Sequence, residues 1–421
     1  MHILVLGAGV TGLATAHRLA TEGHRVTVLD AEPAVARGTS QANGAQLSYS
    51  YVAPFAAPGV IGKVPGWLMD PDGPLRFRPE ADPHQWKWLL AFLAACNATT
   101  AEQTTRRLLL LAYLSRDLMR EFVAAPPFDF AFAPSGKLVL QPSAAAMEGA
   151  KRQMALQARW GSEQQALSRE ECVALEPALA GIAGRIAGGV HTPSEDAGDC
   201  RLFCEGLAAH LARGNNAVTF RLGTRVRQII RAEGRVRGVL TEAGAVEADA
   251  LVLCLGNGAR ALARPLGLDL PIYPLKGYSI TLPVAREDAA PRVSVTDSQH
   301  KVVYARLGAR LRVAGMADIV GADTRLAERR LSTLIRQARD AFPEAGDWQG
   351  PLEPWTGLRP TTPTGLPLLG RTPAAPNLYL NTGHGSLGWT LAMGSAAVVA
   401  AEIAGRAPPI PLEGFRHSPG A

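Results

Sequence analysis

Gly7-Ala8-Gly9-Val10-Thr11-Gly12 constrains this chain more than any other short stretch in it. The hexapeptide has the GxGxxG spacing and follows the apolar run His2–Leu6 directly. It opens a stretch, Val10–Glu22, in which Leu13, Ala16, Leu19 and Ala20 recur at helical spacing. Gly23 closes that helix, and a second apolar run, Arg25–Leu29, completes a right-handed βαβ unit. Each glycine has a physical reason. Gly7 permits the tight turn, Gly9 lets backbone approach a pyrophosphate, and Gly12 allows close helix–strand packing. The free N–H groups at the helix start then face the phosphates. The spacing alone is weak evidence, but the second strand runs into Asp30, 18 residues after Gly12, where an acid can bond a ribose hydroxyl. A dinucleotide site is therefore expected, FAD or NAD rather than NADP.

The chain has 421 residues, enough for two or three domains. With 47% hydrophobic and 19% charged residues it reads as an ordinary folded protein. The net charge of +6 is spread over scattered arginines rather than a dense basic block, which argues against nucleic acid as a partner. Mild attraction to anionic lipid is compatible with it. Cys96, Cys172, Cys200, Cys204 and Cys254 form no CxxC and no metal-ligand spacing with histidine, so no metal is expected and the thiols read as free in a reducing cytoplasm. The N-terminus lacks signal-peptide features, and the apolar stretch Trp389–Ala401 falls short of the ~20 residues of a membrane span. The expected location is the cytoplasm, with peripheral association at the inner face of the cell membrane as an option.

Downstream of the βαβ unit the pattern changes. Residues 84–125 and 144–160 read as helical, with shorter helices at 168–179 and 200–213. From Val218 the texture is β-like: a hairpin at 224–241, an apolar strand at 250–255 ending in Gly256-Asn257-Gly258, and alternating runs between 271 and 320. Strand-to-glycine junctions thus recur at Gly7, Gly256 and Gly383–Gly388. The expected architecture is α/β: a discontinuous Rossmann-like FAD-binding domain (1–46, 182–262, 352–421) with an interleaved α+β substrate domain (47–181, 263–351) that contains an antiparallel sheet.

FAD is favoured over NAD because a flavin needs loops far from the first βαβ unit. Thr39–Gln46 is rich in small and hydrogen-bonding residues, and Asn381–Thr390 begins a helix whose N-terminus suits the negative charge of a reduced flavin. Further stretches carry a specific resemblance: Ala53-Pro54-Phe55-Ala56-Ala57-Pro58-Gly59, Tyr273-Pro274-Leu275-Lys276-Gly277-Tyr278-Ser279 and Trp355-Thr356-Gly357-Leu358-Arg359-Pro360. With Thr39–Asn43 and Asn381–Gly385, they make the chain resemble the D-amino acid oxidase/glycine oxidase superfamily, and within it the bacterial D-amino acid dehydrogenases of the small-subunit type. The resemblance implies non-covalent FAD, oxidation of D-amino acids to 2-oxo acids and ammonia, and a quinone-type electron acceptor. The cofactor set expected on these grounds starts with Gly7, Gly9, Val10, Thr11, Gly12, Asp30 and Ala31. Thr39, Ser40, Asn43, Gly44 and Gln46 follow, then Val226, Leu255 and Gly256. Gly383, Gly385, Ser386, Leu387, Gly388, Trp389 and Thr390 complete it.

By the same resemblance Arg359 is the ligand of the substrate carboxylate, a role its planar donor fork suits. His384 is a candidate for assisting amine deprotonation, or else a histidine that merely bonds its own loop. Tyr278 and Tyr51, with Lys276 and Tyr49, are candidate pocket-lining residues. The stripe Trp86, Trp88, Leu89, Leu90, Phe92 and Leu93 reads either as core or as a membrane-touching surface. Alternative readings are an oxygen-using oxidase, a D-proline or hydroxyproline dehydrogenase, a nicotinamide-dependent dehydrogenase and a non-catalytic flavin-binding subunit. Arg359 argues against the last, since a scaffold needs no carboxylate fork.

Overall fold

In the computed structural model, which describes residues 1–70, 72–214 and 218–417, two sheets organise the chain. The first has six strands among the described residues, in the order Leu368–Arg371, Leu378–Thr382, Ala250–Leu253, His2–Leu6, Arg25–Leu29, Thr219–Arg221. All neighbours pair in parallel except the edge strand Leu368–Arg371. Both faces are buried, which is why the strands read as continuous apolar runs. Helices Val10–Thr21, Ala98–Ala124, Cys200–Arg213 and Gly388–Ile403 cover one face. A small antiparallel sheet, 226–232, 235–241 and 244–247, covers the other through Ile229, Val236, Val239 and Val246.

The segment Gly385–Ile403 is long and apolar enough to cross a membrane, contrary to the expectation from sequence, but 83% of it is buried inside the protein. It is the central core helix. The helical region expected at 84–125 is two helices, Pro83–Ala95 and Ala98–Ala124, because the Asn97 side chain caps the second by accepting from Thr100 N.

The second sheet has nine strands among the described residues. It runs 353–361, 273–283, 310–319, 302–307, 294–297, 137–141, 188–192, 165–168, with 75–77 paired to the end of 310–319. Most pairings are antiparallel; 294–297 with 137–141, and 310–319 with 75–77, are parallel. Two strands shift the segment boundaries drawn at 182 and 352. Strand 188–192 pairs with 137–141 and 165–168, and 353–361 pairs with 273–283, so both belong to the large sheet. Gly188-Gly189 and the prolines 354 and 360 hid them. Prolines are tolerated because 353–361 is an edge strand. A Cβ at Gly189 would meet Cys172 Sγ at 2.9 Å, so close packing explains the glycine.

Candidate active site

The parallel sheet brings the three glycine junctions side by side. Strands His2–Leu6, Ala250–Leu253 and Leu378–Thr382 are neighbours, so Gly7, Gly256 and Gly383 leave the same edge. Gly7 has φ +108°, and a Cβ there would lie 2.5 Å from the Cys254 carbonyl oxygen. A Cβ on Gly12 would lie 1.9 Å from the Gly7 carbonyl oxygen. Both positions therefore exclude any other residue. The helix that starts at Val10 lacks a cap from its own Gly9; Ser40 Oγ accepts from Val10 N at 3.0 Å instead. Thr11 is half-buried on that helix, and Thr39 half-buried beside Ser40.

Asp30 ties the turn together: Oδ2 accepts from Ala8 N at 2.6 Å and Oδ1 from Glu32 N at 2.8 Å. Ala31 is exposed next to it. Gly223 N and Thr224 N donate to the carbonyls of Glu32 and Asp30, which brings the chain leading to Val226 beside the acid. At the other junctions, Thr382 Oγ1 donates to Gly256 O at 3.1 Å, and Asn257 Nδ2 to Leu358 O at 2.7 Å. Leu255 precedes that turn, and strand 353–361 lies against both it and the loop at 385–387.

These residues fit a flavin dinucleotide. Asn257 Oδ1 and Asn381 Oδ1 are buried without a partner among the described residues, at two of the glycine junctions. The helix Gly388–Ile403 starts without a side-chain cap, leaving its first N–H groups for a ligand. Gly385, Ser386, Leu387 and Gly388 are half-buried or exposed. Trp389 and Thr390 instead turn inward. The Trp389 indole packs on Phe203 at 4.7 Å and donates to Gly198 O, while Thr390 Oγ1 accepts from Ser48 N at 3.0 Å. Their side chains serve the core, so backbone is what they offer a cofactor.

The large sheet faces the loop 39–46 with one side. Ser279 Oγ donates to Ala42 O at 2.7 Å, Arg312 Nη1 to Asn43 O at 2.9 Å, and Gly44 backs onto Val303. Gln46 Oε1 accepts from Lys137 Nζ at 2.7 Å. Arg359 is opposite Leu275 in register, and Leu275, Gly277 and Ser279 alternate to the same side of their strand. Arg359 thus faces the flavin loop. Its guanidinium lies over Gly277, where a Cβ would come within 2.4 Å of Nη2. Nη1 donates to Met316 O at 2.9 Å, and among the described residues the rest of the fork has no partner. Met316 sits in a register shift of strand 310–319 at φ +63°, a left-handed conformation that costs an ordinary residue about 1–2 kcal/mol. That bulge aims the Met316 carbonyl at Arg359. Desolvation lowers the Arg359 pKa to about 10, opposed by Asp318, so the fork stays charged at neutral pH.

Three candidates stand elsewhere. Tyr278 and Lys276 project from the opposite face of their strand. The Tyr278 hydroxyl donates to Asp318 Oδ2 at 2.9 Å and the ring packs among Leu334, Ala338 and Phe342. Lys276 Nζ donates to Arg325 O. The two-residue alternation of a strand excludes them from the pocket. Tyr49 is fully buried in the core. His384 is buried, its Nε2 3.2 Å from Ser395 Oγ, and burial lowers its pKa to about 3. It stays neutral and bonds its own framework. Tyr51 is 37% exposed with its ring over Lys137 Nζ at 4.2 Å.

Lys137 was not visible as a site residue. It is 2% exposed, donates to Gln46 Oε1 and Ser48 Oγ, and burial lowers its pKa while Glu195 opposes that shift. Glu195 accepts from Ser50 N at 2.6 Å, and burial raises its pKa. The sequence signal was a lysine opening the apolar strand Lys137–Gln141.

Comparison with known proteins agrees with this geometry. Residues 2–402 match the family model described as FAD dependent oxidoreductase. The chain belongs to that family. It is 50% identical over 420 residues to a D-amino acid dehydrogenase 2 of Ralstonia nicotianae, covering 97% of this chain and 98% of the relative. A D-amino acid dehydrogenase 2 of Pseudomonas aeruginosa is 46% identical over 414 residues, covering 98% and 97%. Glycine oxidase from Geobacillus kaustophilus shares the fold at TM-score 0.78 and 20% identity, covering 100% of this chain and 98% of that one. As an FAD-dependent oxidoreductase the protein takes FAD, and the two-sheet frame is the fold that positions it.

Proposed function

We propose that this FAD-dependent oxidoreductase converts D-amino acids, with water and an electron acceptor, to 2-oxo acids, ammonia and the reduced acceptor. One observation carries the reading: a charged, largely unpartnered Arg359 held over Gly277 on the sheet face that meets the flavin loop. The near-full-length D-amino acid dehydrogenase relatives supply the substrate class. Bound FAD would supply the sink for the hydride leaving Cα. Arg359 holds the carboxylate in a bidentate clamp, and Met316 O and Gly277 fix the plane of the fork. His384 takes no proton at neutral pH, so the amine arrives neutral or loses its proton to water. Anaerobic bleaching of the flavin by a panel of D- and L-amino acids tests the reading. Bleaching by D-isomers is expected; a flavin indifferent to all of them, or reduced by L-isomers instead, would sink it.

The acceptor we assign is a quinone, reached at the inner face of the cell membrane. The stripe on helix Pro83–Ala95 divides in a way that supports this: Trp88 and Phe92 are core, whereas Trp86, Leu90 and Leu93 are exposed. Ile61, Leu68 and Met69 add exposed apolar surface on helix Val60–Met69, which packs on the same apolar cluster. Reoxidation by a quinone analogue should far outpace oxygen, and salt should release the protein from anionic vesicles. Rapid peroxide production in air would move the assignment to an oxidase.

A further inference from the structure

A second cleft lies on the far side of the large sheet, away from the flavin loop. Its volume is about 410 Å³, within the usual range of small-molecule sites. The floor is apolar, formed by Leu140, Ile182, Val295, Tyr304 and Phe342. Tyr304 is 2% exposed, and its hydroxyl has no hydrogen-bond partner among the described residues. Burial raises its pKa, and the nearby Asp297 and Asp340 carboxylates raise it further. The hydroxyl is not sealed in the core but reaches the cleft, where a ligand or water can meet it.

The rim carries both charge signs. Asp297 is occupied by His300 Nδ1 at 2.6 Å, and Asp72 by Arg336 and Thr333. Arg185 and Asp340 also line the cleft, and neither has a side-chain partner among the described residues. A free guanidinium, a free carboxylate and an apolar floor together match a zwitterion with a hydrocarbon side chain. We propose that this cleft is a second ligand site, distinct from Arg359, that takes an apolar α-amino acid.

The cleft is also wired to the flavin loop. Tyr304 and Val295 face it, while their strand neighbours Val303 and Thr296 face the loop, against Gly44 and Gln46. Gln46 Nε2 also donates to Val295 O at 3.3 Å. A ligand that shifts strands 294–297 and 302–307 therefore moves the residues that touch the cofactor loop. This goes beyond the proposed activity and is tested apart from it.

The probe is L-leucine, titrated calorimetrically into the FAD-loaded Arg359→Ala protein. Saturable binding is expected, with a change in flavin absorbance. Arg185→Glu or Asp340→Lys in the same background should each weaken binding by about tenfold or more. Both residues are exposed, so the fold should tolerate the changes. Isoamylamine and 4-methyl-2-oxopentanoate, which each lack one charge, should bind less well than L-leucine. No saturable heat, or binding indifferent to both rim variants, would overturn the site. Equal binding of the oxo acid would overturn the zwitterion as its ligand class, and an unchanged flavin spectrum would overturn the link through the sheet.

Discussion

The two faces of strand 273–283 differ in what their polar groups leave undone. On the helix side, Tyr278 bonds Asp318, Asp318 bonds Arg330 at 2.8 Å, and Arg330 bonds Gly73 O at 2.7 Å. Tyr278, Asp318 and Arg330 are each tied to protein partners, with Arg330 Nε alone in that trio buried without one among the described residues, and the ion pair is almost fully buried. On the flavin side, Ser279 and Arg312 hold the loop 42–43, but Arg359 keeps most of its donors free. A closed network specifies packing; an open one is built for a ligand. Adjacent residues of one strand thus serve structure and chemistry separately.

The largest break in that comparison is Arg359→Ala. Truncating one partner of a charge-assisted contact is typically worth about 2–5 kcal/mol, so kcat/KM for D-amino acids should fall by roughly 30-fold to several thousandfold. FAD content and spectrum should hold, and Arg359→Lys should recover part, since the ammonium keeps the charge without the fork. Loss of flavin in either variant would place Arg359 in the cofactor site or the fold. Next comes Gly277→Ala. The new Cβ falls 2.4 Å from Nη2, the far end of a flexible side chain, so the fork moves rather than the backbone. A displacement of about 1 Å is enough to cost on the order of 100-fold in rate, while the melting temperature changes little. Unchanged kcat/KM would mean the cradle does not aim the fork.

Lys137→Met probes the same face at the loop end. It removes the donor to Gln46 and Ser48 and leaves the buried Glu195 without its opposing charge. Burial has already raised the Glu195 pKa, so without Lys137 the carboxyl should take up a proton. The lost donors should cost about 1–3 kcal/mol in the unfolding transition, and FAD occupancy should drop as Gln46 loosens. Adding Glu195→Gln should restore part of the stability and little of the occupancy. Full recovery of both would make Lys137 a charge partner and nothing more.

Much of the cofactor frame was legible because it is local. The βαβ unit, its glycines Gly7, Gly9 and Gly12 and Asp30 lie within thirty residues, and backbone crowding fixes Gly7 and Gly12. The substrate side was harder. Both faces of 273–283 are buried, so no polar–apolar alternation reveals which side Tyr278 or Arg359 takes. Strand 353–361 reads as a loop because of its prolines, and the Met316 bulge leaves no mark in sequence at all. Arg359 came from resemblance, and its cradle from the structure. Asn97, in contrast, is a cap that sequence displays, and the break in the helical run at 84–125 follows from it.

Tyr278→Phe should have the smallest effect, and it sharpens the comparison most, because only one strand position separates this side chain from the Arg359 cradle. The substitution keeps the ring in its cluster with Leu334 and Phe342 and removes one hydroxyl. Asp318 then loses a donor at 2.9 Å but keeps Arg330 at 2.8 Å. A hydrogen bond to a charged group is worth about 1.5–3 kcal/mol, so the melting temperature should fall by a few degrees. kcat/KM should stay within about twofold, since the hydroxyl faces the helix 328–341 and not the fork. A large fall in kcat/KM with unchanged stability would reverse the assignment of faces, returning Tyr278 to the pocket and putting the position of Arg359 in doubt with it.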